Sequence, residues 1–310
     1  MLNRIHILFI LIVTVCIAGQ DGLSQRKDTT SLIPLNFGFP ASVLPEMNER
    51  DVKAAIKVWS EGFIDKSYYK SSFYIYDDLN ALIGAITDGE INIAPLPPVD
   101  FIRTSHRIPL YPALCGKIYD SVSDRFVLLV RKESRFNGIR DLEGRSILIK
   151  NESPNSLMKI WLEVMLHSAD LPPSTHFFSE IIKKDREFQL IFPLILDQAD
   201  CCIMTQGAFR TMCELNPQLD VQLTTLVASD SLMISTILVF TEQLEEESRN
   251  HVKFLALNWA KTKSTDQLQI LFRFNELIPF EEKYLESIQS LLKNYNHFRN
   301  SISMDRGDTR

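Results

Sequence analysis

LEGRSILIKNESPNSLMKIWLEVML, residues Leu142–Leu166, places an apolar β-branched run, a polar break and an amphipathic run in one short span. Ser146–Lys150 reads as a strand, and the apolar spacing after Ser156 reads as a helix. Ser153 is a suitable helix N-cap and Pro154 suits the first helical position, where a missing N–H costs nothing. The break at Asn151–Ser156 is therefore explained without a ligand. A strand that feeds a helix N-terminus through small polar residues is also where an α/β protein offers free backbone N–H groups to an anion. On sequence alone both readings stand.

The same alternation extends on either side. SLIPLNFGFPA and SSFYIY read as strands, and between them NERDVKAAIKVWSEGFIDK carries Val52, Ile56, Trp59 and Phe63 at helical spacing. DDLNALIGAITDGE reads as a helix that Asp78 caps and Gly89 ends; INIAPL is a short strand and PPVDFIRTSH a further helix. This β-α-β-α-β-α order predicts parallel strands with right-handed crossovers. IPLYPALCGKI and DRFVLLVRKES read as long strands joined by a polar turn.

Beyond the opening stretch, THFFSEII reads as a strand, REFQLIFPLILDQ as a helix kinked or begun near Pro193, ADCCIMTQ as a strand and AFRTMCELNP as a helix. VQLTTLVASDSLMISTILVF returns through strands, and the chain after it is mostly helical. Strand-rich segments at 110–131 and 221–240 separate two β-α blocks, which predicts two lobes with the chain crossing between them twice. The expected division is 30–122 plus 236–310 for the first lobe and 123–235 for the second. A cleft between them suits a small molecule.

Composition narrows the function. Of 310 residues 45% are hydrophobic, enough for two packed cores, and a formal charge of -6 without any Lys/Arg cluster speaks against a nucleic-acid partner. MLNR, the apolar IHILFILIVTVCIAG and the polar QDGLSQRKD together read as a cleaved secretory peptide over 1–19. The apolar run is short for a membrane span, which needs about 20 residues. Bulky Val15 ahead of Cys16 disfavours a lipid anchor. Export leaves Cys115, Cys201, Cys202 and Cys213, read as buried free thiols, with one or two disulfides as the alternative. The histidines are scattered and no CxxC or HExxH spacing occurs, so no metal or cofactor is expected.

DDLNALIGAITDGEINIAPLPPVDFI, VLLVRKESRFNGIRDLEGRSILI and LILDQADCCIMTQGAF, in that order, resemble the phosphonate, phosphite and phosphate type of periplasmic binding protein. The resemblance runs from Asn36 to Leu292 and is carried best by Ala81–Pro98 and Asp141–Arg145. It implies an α/β, bilobal type 2 periplasmic binding protein fold, two α/β lobes joined by two hinge strands. It also implies a monomeric, non-catalytic, periplasmic receptor that captures a small phosphonate- or phosphate-like ligand for an ABC-type permease, or for a sensor kinase.

The family grips its oxyanion with a Ser-Thr-Ser-Gly turn at a helix N-terminus, and here Pro154, Asn155, Ser156 and Leu157 align with it, so only Ser156 is retained. Where the family opens a helix with Asp-Tyr, this chain has Asp78 and Leu79; a family aromatic becomes Phe101, a family histidine aligns with Glu187, and a later acidic residue with Thr205. Ser153, Asn155 and Ser156 are thus the expected oxyanion residues. Thr205 and Gln206 at a strand end, with Glu187, form a second expected wall. Phe39, Tyr76 and Phe101 stand either as aromatic cleft walls or as core residues. Glu187 facing the cleft would suit a cation or polyol better than an anion. The alternative functions are a diverged sensor or interaction module that has lost oxyanion binding, and an exported enzyme on the same fold.

Overall fold

A computed structural model describes residues 32–44, 50, 54, 67–118, 121–152, 156–259, 274 and 276–305. The leader at 1–19, Ser153, Pro154 and Asn155 lie outside the described residues, as does nearly all of the helix expected over Asn48–Lys66. In the first lobe β1 (Ile33–Pro40) pairs in parallel with β2 (Tyr69–Tyr76) and β3 (Ile93–Leu96). Helices α1 (Leu79–Thr87) and α2 (Pro98–Ser105) follow β2 and β3. The sheet continues antiparallel through β12 (Ile237–Thr241), β4 (Leu110–Lys117) and β13 (Glu276–Pro279). Asp78 caps α1 by accepting from Ala81 N at 2.9 Å, and Gly89 after it has φ +78°, a conformation glycine adopts without strain.

The second lobe is built the same way. β7 (Ser146–Lys150) pairs in parallel with β8 (Glu180–Lys184) and β9 (Cys201–Thr205), and β6 (Phe126–Arg131) and β10 (Leu223–Ala228) add antiparallel strands. α3 (Leu157–Ser168) covers one face of this sheet. α4 (Ser174–Phe177) is a single turn where the sequence suggested a strand, and the strand begins only at Glu180. α5 (Phe188–Ile195), with Pro193 inside it, covers the opposite face together with α7 (Gln218–Gln222), and α6 (Gln206–Leu215) follows β9. Alternation along β9 sends Cys201 into the core under α3 and Cys202 into the core under α5.

Between the lobes the chain thins to a ribbon. β5 (Ser123–Asp124) pairs with β11 (Leu232–Met233), so IPLYPALCGKI and DRFVLLVRKES belong to different sheets rather than to one hairpin. Two buried serines close the ribbon's ends. Ser229 Oγ accepts from Phe126 N at 2.9 Å on the second-lobe side, and Ser235 Oγ accepts from Gly116 N at 3.0 Å on the first-lobe side. Each hydroxyl takes a buried donor that the sheet ladder no longer serves.

The C-terminal segment adds a connection that the sequence does not suggest. After β13, a first-lobe strand missed in the helical reading of the tail, residues Glu282–Leu285 pack on β11 and α9 (Glu286–Asp305) packs on α3 of the second lobe. The tail expected with the first lobe therefore spans to the second. Leu285, Ile288 and Leu292 join Phe101, Phe126, Trp161 and Leu166 in one continuous apolar cluster that both lobes share. On the outer face of the first sheet, α8 (Glu246–Trp259) packs Val252 and Ala256 against Phe37 and Phe240.

Cys115, Cys201, Cys202 and Cys213 are free thiols, as the simpler sequence reading held. Burial, assisted by Glu281, pushes Cys115 up to about 12, and Cys201 and Cys202 are also raised by burial. In the native protein a thiol reagent at neutral pH should modify the half-buried Cys213 first and the other three only on unfolding, read by mass spectrometry. Asn92, buried beside β3, accepts from Asn36 N at 2.8 Å and donates to Pro34 O at 2.8 Å. Asn92→Ala strands these β1 groups and should cost about 1–3 kcal/mol in urea unfolding.

Candidate functional site

The carboxyl ends of the parallel strands meet at the gap between the lobes. Pro40 ends β1, Lys150 ends β7 and Thr205 ends β9, and all three line a cleft together with the first turns of α1, α2 and α3. Open α/β sheets place their ligands at this edge.

From the second lobe the cleft receives Ser156. It occupies the N-cap position of α3, so the helix begins three residues later than a cap at Ser153 would place it. Ser156 O accepts from Ile160 N at 3.0 Å, but its hydroxyl makes no capping bond and is buried with no hydrogen-bond partner among the described residues. The N–H groups of the first turn of α3 have no intrahelical acceptor and carry the positive end of the helix dipole. A donor hydroxyl and unserved amides at one point can hold an oxyanion.

The first lobe contributes α2 and the turn just after it, which holds Arg107. Asp100, Arg103, Thr104 and Arg107 recur at helical spacing and all line the cleft. Thr104 is 1% exposed, and its hydroxyl is the second buried side-chain oxygen without a partner among the described residues. Burial raises the Asp100 carboxyl above its ordinary range, with Arg103 beside it opposing the shift.

Of the other expected site residues, Phe39, Glu187 and Thr205 line the cleft with Ser156. Phe39 is 3% exposed and stacks on Phe37, so it serves chiefly as core. Thr205 Oγ1 accepts from Ala208 N at 3.3 Å and caps α6. Phe101 turns inward instead, its ring 5.9 Å from that of Phe280, because the helical phase that brings Asp100, Arg103 and Arg107 to the cleft carries residue 101 into the core. Tyr76 packs against the shared core, where burial raises its phenol, followed by Glu90 and Tyr74. Gln206 lies in a separate depression beside Asp124 and Arg210.

Thr104, Arg103 and Arg107 were missed in sequence, since a threonine inside a helix looks like packing. The lining is also more acidic than a plain oxyanion site. Asp77, Asp78, Asp100, Glu152, Asp185 and Glu187 face three described cations, Arg103, Arg107 and Lys150.

Asp100 gives a pH signature. Its folded pKa is raised, so the folded state binds more protons than the unfolded chain between 3.8, its ordinary value, and the raised value. Stability should therefore fall as pH rises through that window and stay reduced above it. Asp100→Asn should raise the melting temperature at neutral pH, with the gain over wild type shrinking as pH falls below that window. Melts across a pH series read this directly.

Residues 41–284 match the family described as ABC transporter, phosphonate, periplasmic substrate-binding protein. Among curated proteins none matches the sequence. In fold the chain is similar to PhnD1 from Prochlorococcus marinus in complex with methylphosphonate, at 14% identity and TM-score 0.62 over 85% of this chain and 98% of that one. A binding protein component of an ABC phosphonate transporter from Pseudomonas aeruginosa shares 14% identity, with TM-score 0.61 over 86% of this chain and 87% of that one. The periplasmic aliphatic sulphonate binding protein SsuA from Escherichia coli shares 11%, with TM-score 0.52 over 86% and 93%. With the family match spanning most of its length and two α/β lobes enclosing a cleft at their strand ends, the chain belongs to the periplasmic substrate-binding proteins of phosphonate ABC transporters.

Proposed function

We propose that this protein is an exported receptor that captures a small oxyanion, phosphonate- or phosphate-like, between its lobes and hands it to an ABC-type permease without chemical change. One observation carries the reading: Ser156, at the N-terminus of α3, lines the cleft with a buried hydroxyl that has no partner among the described residues. A buried hydroxyl without a partner costs stability, and a ligand that accepts from it recovers that cost on binding. Ser156 is also the residue of the family's oxyanion turn that this sequence keeps. Ser153 and Asn155 belong to the same proposed site by sequence, and Thr205, Glu187 and the edge of Phe39 form its other walls. The proposed hinge is the β5–β11 ribbon, with lobe boundaries near 122/123 and 235/236. Cleavage of the leader at 1–19 would release the mature receptor.

The excess of carboxylates on the lining favours a second reading, a diverged sensor or interaction module that no longer holds an oxyanion. A thermal-shift screen with methylphosphonate, phosphite, phosphate, sulfonates, sugars, polyamines and amino acids separates the two. A receptor gains melting temperature with its ligand by mass action, whereas silence across the panel supports the second reading. For the oxyanion that binds, Ser156→Ala should weaken affinity by about 1–3 kcal/mol in titration calorimetry while leaving apo stability unchanged or slightly higher. Unchanged affinity would remove Ser156 from the site.

A further inference from the structure

We infer that the countercharge for the bound oxyanion comes from the first lobe, from Arg103 and Thr104 in the last turn of α2 and Arg107 in the turn just after it. This rests on the receptor reading above and locates the charge recognition within it. The second-lobe wall around Ser156 is poor in positive charge. Its one described lining cation, Lys150, lies 4.0 Å from Glu152, and Asp185 and Glu187 stand on the same wall. Lys159, at the start of α3, gives its ammonium to the Glu152 carbonyl. An anion resting on Ser156 and the α3 amides alone would share that wall with the carboxylates of Glu152, Asp185 and Glu187 and with Lys150 as the one described lining cation.

The opposite wall has the complementary chemistry. Arg103 lies in the last turn of α2 and Arg107 in the turn that follows it, where Arg107 N donates to Thr104 O at 2.8 Å, and Arg103, Thr104 and Arg107 all line the cleft. Guanidinium groups match oxyanions with paired donors at fixed geometry. The independent sign that this face awaits a ligand is Thr104 itself. At 1% exposure it lines the cleft with a hydroxyl that has no partner among the described residues, whereas a helical threonine can usually turn its hydroxyl onto the carbonyl one turn back. Thr104 on one wall and Ser156 on the other thus line the same gap, each with a buried hydroxyl that has no partner among the described residues. An oxyanion held between them takes hydrogen bonds from both lobes and its charge partners from the first. Asp100 is the nearest unfavourable neighbour of Arg103, and Asp77 and Asp78 at the start of α1 stand on the same wall, so the advantage of this wall is its second lining cation. Burial raises the Asp100 carboxyl, which moderates the repulsion, and Arg103 partly offsets it.

The test is titration calorimetry of the mature protein with methylphosphonate and, separately, inorganic phosphate. Wild type is compared with Arg103→Gln, Arg107→Gln, Thr104→Val, Asp100→Asn and Ser156→Ala, each checked by its melting temperature. Arg103→Gln and Thr104→Val should each weaken binding about tenfold or more, as expected for lost charge-assisted and buried hydrogen bonds. Asp100→Asn should tighten it. Thr104→Val should also melt higher without ligand, since it removes a buried hydroxyl that lacks a partner, so weaker binding in that variant cannot be ascribed to misfolding. Should Ser156→Ala lose affinity while every α2 variant binds like wild type, the countercharge assignment is overturned and the receptor reading stands. Should wild type bind neither anion, both fall together.

Discussion

Everything in this molecule depends on how the chain leaves one sheet and enters the other without stranding its backbone. A sheet ladder that stops inside a protein leaves buried N–H groups, and each needs an acceptor. Here Ser229 and Ser235 supply them, one on each side of a ribbon only two residues wide on each strand. Ser229 N in turn donates to Phe126 O at 2.8 Å, which makes that junction reciprocal. Asp124 within the ribbon accepts from Arg125 N at 2.7 Å and Gly207 N at 2.9 Å, tying the crossing to the first turn of α6. So short a ribbon leaves a gap at the carboxyl ends of the strands, and the cleft is the consequence.

That gap explains why the site is assembled from helix beginnings and one helix face. Parallel strands all point their carboxyl ends to one edge, so each following helix starts there with amides unserved. Each wall carries three carboxylates, Asp77, Asp78 and Asp100 on the first lobe and Glu152, Asp185 and Glu187 on the second, but the first has two lining arginines where the second has Lys150 as its one described lining cation. Closing such a site excludes water and strengthens every one of these interactions, favourable or not. The placement of Arg103 and Arg107 therefore weighs more than the count of charges around the rim.

How far the sequence revealed this depends on whether local or distant contacts decide each element. The β-α alternation was legible because strand and helix periods are local, and Asp78 and Gly89 bracket α1 as their chemistry requires. The start of α3 was read three residues early, since Ser153 and Pro154 fit a local capping rule equally well. β13 was missed because four residues ending in Pro279 carry little strand signal alone, and only pairing with β4 makes them a strand. Phe101 was offered as a cleft wall by alignment, but Phe280, far along the chain, fixes its ring inward. Thr104 gave no signal at all, because a hydroxyl without a partner is a fact of three dimensions.

The C-terminal helix shows why the site can be weakly written in sequence and still firmly built. α3 carries Ser156 at its beginning, while further along Trp161 stacks on Phe126 at 5.9 Å and His167 lies 4.3 Å from Phe298 of α9. The helix is thus held by the second sheet on one side and by α9 on the other, and α9 itself follows a strand of the first lobe. Its first turn is held in place by packing, and Ser156 makes no capping bond there. A helix start held in this way by its surroundings keeps its place whichever side chains precede it. On the first-lobe wall the charged side chains that line the gap come from the start of α1, from α2 and from the turn just after it.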